Sequence, residues 1–95
     1  GQKLGLGIVP MDSDIARQYR AKGQEGVLIS EVTPGSPAEY AGIQPGMIIL
    51  SVNRVYVNSI AEFNDALKET EKTKKALLLV KTGRMAQYVV LKLKD

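Results

Sequence analysis

The stretch "KLGLGIVP", residues 3–10, is where this 95-residue sequence comes closest to chemistry. Gly5 and Gly7 alternate there with Leu4, Leu6 and Ile8, and Pro10 closes the run. Successive backbone amides around a glycine can turn inward and form a nest for an anion. Leucines on either side of Gly5 put apolar side chains beside such a nest. That combination suits a carboxylate attached to a hydrophobic side chain, which describes a peptide C-terminus. Two other readings compete with it. Glycines in an edge strand can mark nothing more than a bulge or a twist. A nucleotide loop would need a third glycine, a strand before it and a helix after it. Here Pro10 and a strand follow Gly7, so the nucleotide loop fails.

Catalysis has little to work with in this chain. It contains no histidine and no cysteine. Ser-His-Asp triads, Cys-His dyads and His/Cys zinc sites are therefore excluded from these residues. No serine and lysine stand in a recognisable catalytic pairing, and no cofactor is expected. The net charge of +3 is modest. The basic cluster "KTKK" (72–75) lies beside Glu69 and Glu71, with no aromatics interleaved for base stacking. It reads as a solvated helix end rather than a nucleic-acid surface. Without cysteine the redox compartment stays open. The runs "GMIIL" and "ALLLV" are too short to span a bilayer, so no membrane insertion is expected. At this length the chain is one domain, residues 1–95. With Gly1 first and no signal peptide, it reads as a piece of a larger protein.

The elements that must position the glycine stretch follow from local patterns. Residues 6–9 read as a short strand, ended by Pro10, which cannot donate to a ladder. "DSDIARQYRAKG" reads as a helix with Ile15, Ala16 and Tyr19 on one face, capped by Asp12 or Ser13 and stopped at Gly23. "GVLISEV" (26–32) is a strand. In "SPAEYAG", Ser36 as N-cap, Pro37 at the first helical position, Glu39 three residues after the cap and Gly42 at the exit predict a single helical turn. "MIILSVN" (47–53) is an apolar run of strand length, buried on both faces, and "VYV" (55–57) is a small strand beyond the turn at Asn53-Arg54. "SIAEFNDALKET" (59–70) predicts the longest helix, with Ser59 and Glu62 as a second capping box and Ile60, Phe63, Ala66 and Leu67 as an apolar stripe. The C-terminal run predicts a hairpin around Thr82-Gly83-Arg84, with Val89, Leu91 and Leu93 on one face and Tyr88, Val90 and Lys92 on the other. Five or six short strands, two helices and a helical turn make a mainly antiparallel α+β sandwich or partly open barrel.

Taken together, "KLGL" before a short strand, "GVLISEVTPGSPAEYAGIQPGMIILSVN" and "VNSIAEFNDALKE" resemble a PDZ domain. They are most similar to those of bacterial HtrA/Deg-type envelope serine proteases, and the likeness covers essentially the whole chain. Only three residues precede Leu4, so the resemblance implies the circularly permuted bacterial form, in which run 86–93 supplies the strand that animal PDZ domains place before the loop. "VNR" followed by "VNSI" leans towards the second PDZ of a tandem pair.

The resemblance assigns roles by position. Leu4, Gly5 and Leu6 would offer amides to a terminal carboxylate, with Lys3 adding positive charge. Residues 6–9, Leu6, Gly7, Ile8 and Val9, would accept the peptide as an added antiparallel strand. Residues 59–70 would form the other wall. Leu4, Leu6, Ile8 and Leu67 would line the pocket for the last side chain, while Ile60 and Asn64 would face the side chain two positions earlier. Phe63 is expected in the core. Implied partners are C-termini or unfolded segments, the attached protease domain and neighbouring subunits, in the periplasm or cell envelope. A groove filled by the parent protein itself, or another protease or secretion component as parent, are alternatives. Two departures stand out. Gly46-Met47 replaces the usual Gly-Asp, losing a polar turn contact, and Asn53-Arg54 replaces the frequent Asn-Gly, implying a different turn.

Overall fold

The computed structural model describes residues 4–19 and 24–93. Lys3 and Gly23 lie outside the described residues. The chain builds six strands, β1 (Leu6–Val9), β2 (Val27–Val32), β3 (Ile48–Val52), β4 (Val55–Tyr56), β5 (Lys75–Thr82) and β6 (Met85–Lys92). They form one sheet in the order β1-β2-β3-β5-β6, with β4 attached to β3, and every pairing is antiparallel. The expected C-terminal hairpin forms as β5–β6, so the run near 86–93 enters the sheet at the end opposite β1. Among the described residues, β1 and β6 stand at the two ends of this order, and β4 pairs on one side only.

The helices are short: α1 (Asp14–Gln18), α2 (Pro37–Tyr40), α3 (Ile60–Ala66) and α4 (Thr70–Thr73), with a 3-10 turn over Leu67–Glu69. Ser13, Ser36 and Ser59 each cap a helix by accepting the amide three residues on. Glu39 and Glu62 reach one residue further back than a capping box requires. Their carboxylates accept from Gly35 N–H at 2.9 Å and Asn58 N–H at 2.8 Å. Each therefore ties the incoming loop as well as the helix.

The apolar pattern resolves into two clusters on the two faces of the central strands. Val27, Ile29, Ile49, Val52, Leu78, Leu91 and Phe63 belong to the main one. Leu28 and Ile48 point the other way and meet Met11 and Ala16 beneath α1. This is why "MIILSVN" reads as apolar throughout: β3 is covered on both faces. On β6, Leu91 is buried and Val89 and Leu93 pack against the main cluster, which leaves Tyr88, Val90 and Lys92 exposed. For α1 the expected three-residue face is corrected. Only Ala16 is buried, while Ile15 and Tyr19 are 40% and 46% exposed. A helix of five residues points one side chain straight at the sheet and leaves its flanks in water.

The predicted helix 59–70 is also corrected, with an identifiable cause. Asn53 Nδ2 donates to Ala66 O at 3.0 Å and to Thr70 Oγ1 at 3.1 Å, while its Oδ1 accepts Leu77 N–H at 3.0 Å. The side chain occupies the carbonyl that a continuing α-helix would offer to Thr70. The Thr70 amide bonds to Leu67 O instead, one residue closer, and the backbone tightens into 3-10 geometry. The turn holding Asn53 has two central residues, both with positive φ, 51° at Asn53 and 70° at Arg54. That is the primed hairpin geometry an Asn-Gly pair provides. The different turn expected from Arg54 does not occur, and Arg54 bears the cost of a left-handed backbone. Gly46-Met47 keeps a turn contact by other means, since Met47 Sδ accepts Gln44 N–H at 3.4 Å.

Two stability outcomes follow. Asn53→Ala strands three partly buried groups and is expected to lose about 2–4 kcal/mol in urea unfolding. Arg54→Gly removes left-handed strain and should gain about 1 kcal/mol, seen as a rise in Tm. A loss of stability in Arg54→Gly would contradict the strained turn.

Candidate functional site

The loop before β1 is held by its carbonyls. Leu4 O accepts the Ala38 amide from α2 at 3.1 Å, and Gly5 O accepts the Thr33 amide beyond β2 at 2.8 Å. In a trans peptide the C=O and the following N–H point in opposite directions, and the described residues contain no cis bond. Anchoring Leu4 O therefore turns Gly5 N–H away from α2, and anchoring Gly5 O turns Leu6 N–H away from β2. Two adjacent amides are thus turned away from α2 and β2. Gly5 has φ +81°, and a Cβ there would collide with the Ser36 side chain. Only glycine fits that position. Ser36 thus both caps α2 and sets how closely the loop can lie.

Beyond the loop, β1 alternates in a way that divides its functions. Gly7 faces β2, where its carbonyl accepts Ser30 Oγ at 3.2 Å beside a register shift between Gly7 and Ile8. Leu6 and Ile8 point their side chains at the main core cluster while their backbone groups turn to the unpaired edge. Val9 packs on the second cluster. Pro10 follows in the outward-facing row and has no N–H to give.

Of the predicted pocket residues, Leu4 and Leu6 are buried, 2% and 7% exposed, within the main cluster. Ile8 and Leu67 are half-buried and pack at its margin. Ile60 is 38% exposed and Asn64 is exposed on α3, while Phe63 is fully buried as expected. Of the predicted apolar residues, Ile8, Leu67 and Ile60 are thus the ones that keep exposed surface. Among described residues, Asp65 of α3 forms an ion pair with Lys68 of the following 3-10 turn at 2.8 Å. The hydrogen bond to Lys68, and then its charge, hold the Asp65 carboxyl below its usual range. Both groups are exposed, so the pair is worth little. Sequence reasoning missed Thr33 and Ala38, whose amides fix the loop. They act through the backbone, and their side chains give no signal.

A family model described as PDZ domain matches residues 28–81, more than half of the 95 residues. The chain is 38% identical over 92 residues to a probable periplasmic serine endoprotease DegP-like of Chlamydia muridarum, covering 96% of this chain and 18% of that protein. It is 39% identical over 88 residues to the periplasmic pH-dependent serine endoprotease DegQ of Escherichia coli, covering 92% of this chain and 19% of the relative. It thus spans about a fifth of the length of these relatives. Among solved structures, the HtrA3 PDZ domain bound to a phage-derived ligand (FGRWV) superposes with TM-score 0.78 at 25% identity, covering 96% of this chain and 84% of that one. The HtrA-type protease AlgW with decapeptide gives TM-score 0.80 at 17% identity, covering 97% of this chain and 29% of that one, a likeness of fold. Family match, fold and the glycine loop agree: the chain belongs to the PDZ domain family and is similar to the PDZ domains of Deg-type serine endoproteases.

Proposed function

We propose that this domain captures the free C-terminus, or an extended apolar segment, of another protein by adding it as a strand to β1. The observation that carries this is the pair of outward amides at Gly5 and Leu6, set at the head of an unpaired strand edge. A carboxylate needs convergent donors, and an extended backbone needs an open ladder. Both stand here in the right order along the chain. Ile8, Leu67 and Ile60 give the groove an apolar character, so a hydrophobic final residue is preferred. The HtrA3 PDZ domain, similar in fold, is described as bound to a peptide ligand. The domain itself does no chemistry. It recruits substrates for an attached serine endoprotease of the periplasm, as the names of its relatives suggest.

Affinity is expected in the micromolar range, about −8 kcal/mol, because few residues are engaged. Calorimetric titration of a free-carboxylate peptide with an apolar last residue, against its C-terminally amidated twin, tests the nest. The free acid should bind at least about tenfold tighter, a difference of about 1.4 kcal/mol; equal affinities would contradict it. Pro10 sets a second expectation. Lengthening the ligand beyond about five residues should gain little, since the donor row ends there. A steady gain to eight residues would mean that the ladder runs past Pro10.

A further inference from the structure

The sheet face formed by β3, β4, β5 and β6 is unlike the rest of the molecule in charge. Those four strands contain no Asp or Glu, although the chain has 10 acidic residues. On β5, Lys75, Leu77, Leu79 and Lys81 share one face, and their partners on β6 are Lys92, Val90, Tyr88 and Ala86. An apolar middle is thus closed at each end by cations. Lys75 and Lys92 stand directly opposite each other, an arrangement of like charges that works against folding. Across the sheet, Tyr56 pairs with Ser51, Ser51 with Leu79, and Leu79 with Tyr88. Tyr56 and Tyr88 are 73% and 62% exposed. Together with Ser51, Arg54 and Leu77 they line an open depression of about 370 Å³. Arg54 holds a left-handed backbone at its rim, φ 70°, where glycine would be relaxed.

We propose that this face is a second binding site, independent of β1, for an acidic extended segment of a partner protein. Charge complementarity selects the occupant. Lys75 and Lys81 are six residues apart, about 20 Å along a strand. The segment that fits carries two acidic residues with that separation and apolar or aromatic residues between them. One of those side chains enters the depression between Tyr56 and Tyr88, beside the Arg54 guanidinium.

The test is an NMR titration of the ¹⁵N-labelled 95-residue chain with the peptide acetyl-Ser-Glu-Gly-Leu-Gly-Phe-Gly-Glu-Ser-amide. Both ends are blocked, so the carboxylate nest has nothing to hold. Amide shifts should centre on Arg54, Tyr56, Leu77 and Tyr88, leave residues 6–9 unmoved, and fade as salt rises. Arg54→Gly should weaken binding by at least about fivefold while the protein becomes more stable, which separates recognition from folding. Lys75→Gln combined with Lys92→Gln should weaken it similarly. The proposal is overturned if a peptide with lysines in place of the glutamates gives the same shifts, or if the shifts fall on β1. It is also overturned if the face responds to phosphatidylglycerol vesicles and not to the peptide.

Discussion

The rest of the site depends on one constraint: the backbone of Leu4 and Gly5 is fastened through its carbonyl oxygens. Ala38 and Thr33 donate to those oxygens at 3.1 and 2.8 Å. Because each peptide unit is planar and trans, fixing two oxygens fixes two N–H vectors. The amides of Gly5 and Leu6 then cannot turn into the fold. The constraint also explains why a glycine stands there. With φ +81° and the Ser36 side chain pressed beneath it, position 5 has no room for a Cβ. In the proposed function these donors are held in advance, so that a ligand would not have to order them itself.

A second node, Asn53, does for α3 what Ser36 does for the loop. Its side chain joins the β3–β4 turn to the end of α3 and to β5 through bonds of 3.0 to 3.1 Å. It thereby fixes where α3 stops and where Leu67 sits against the core margin. The two walls of the proposed groove are thus each held by a separate polar contact. Asn53 tolerates a left-handed backbone well, since its short side chain bonds locally. Arg54 beside it has no such compensation, which gives the hairpin a strained position on the face remote from β1.

Most of the fold was legible because its signals are local. Ser36-Pro37-Glu39 and Ser59-Glu62 announce helix starts through chemistry within four residues, and both helices begin there. The alternation in 85–92 put Leu91 and Tyr88 on opposite faces because a strand has period two, and the packing of Leu91 into the main cluster decides which face is inward. What was not legible depends on distant partners. The break after Ala66 is caused by a residue 13 positions away. The half-exposed Ile15 and Tyr19 reflect how little of α1 the sheet can cover. The turn at Asn53-Arg54 kept a primed geometry although arginine disfavours it, because strand pairing on both sides overrides local preference. At the site, the glycine loop drew attention by its composition, but a bulge remained an equal reading of it until the resemblance of the surrounding sequence was added. The amides that hold it from Thr33 and Ala38 could not be recognised, since any residue but proline supplies an N–H.

The proposed capture rests on Gly5 and Leu6 donating their amides to a carboxylate. The direct measurement is the amide proton shift of these two residues when a short apolar peptide with a free C-terminus is added. A hydrogen bond to a charged oxygen is short and strong, and should move both signals downfield, further than any others in residues 4–9. Amides of Gly5 and Leu6 that stay in place while the peptide binds would contradict the account.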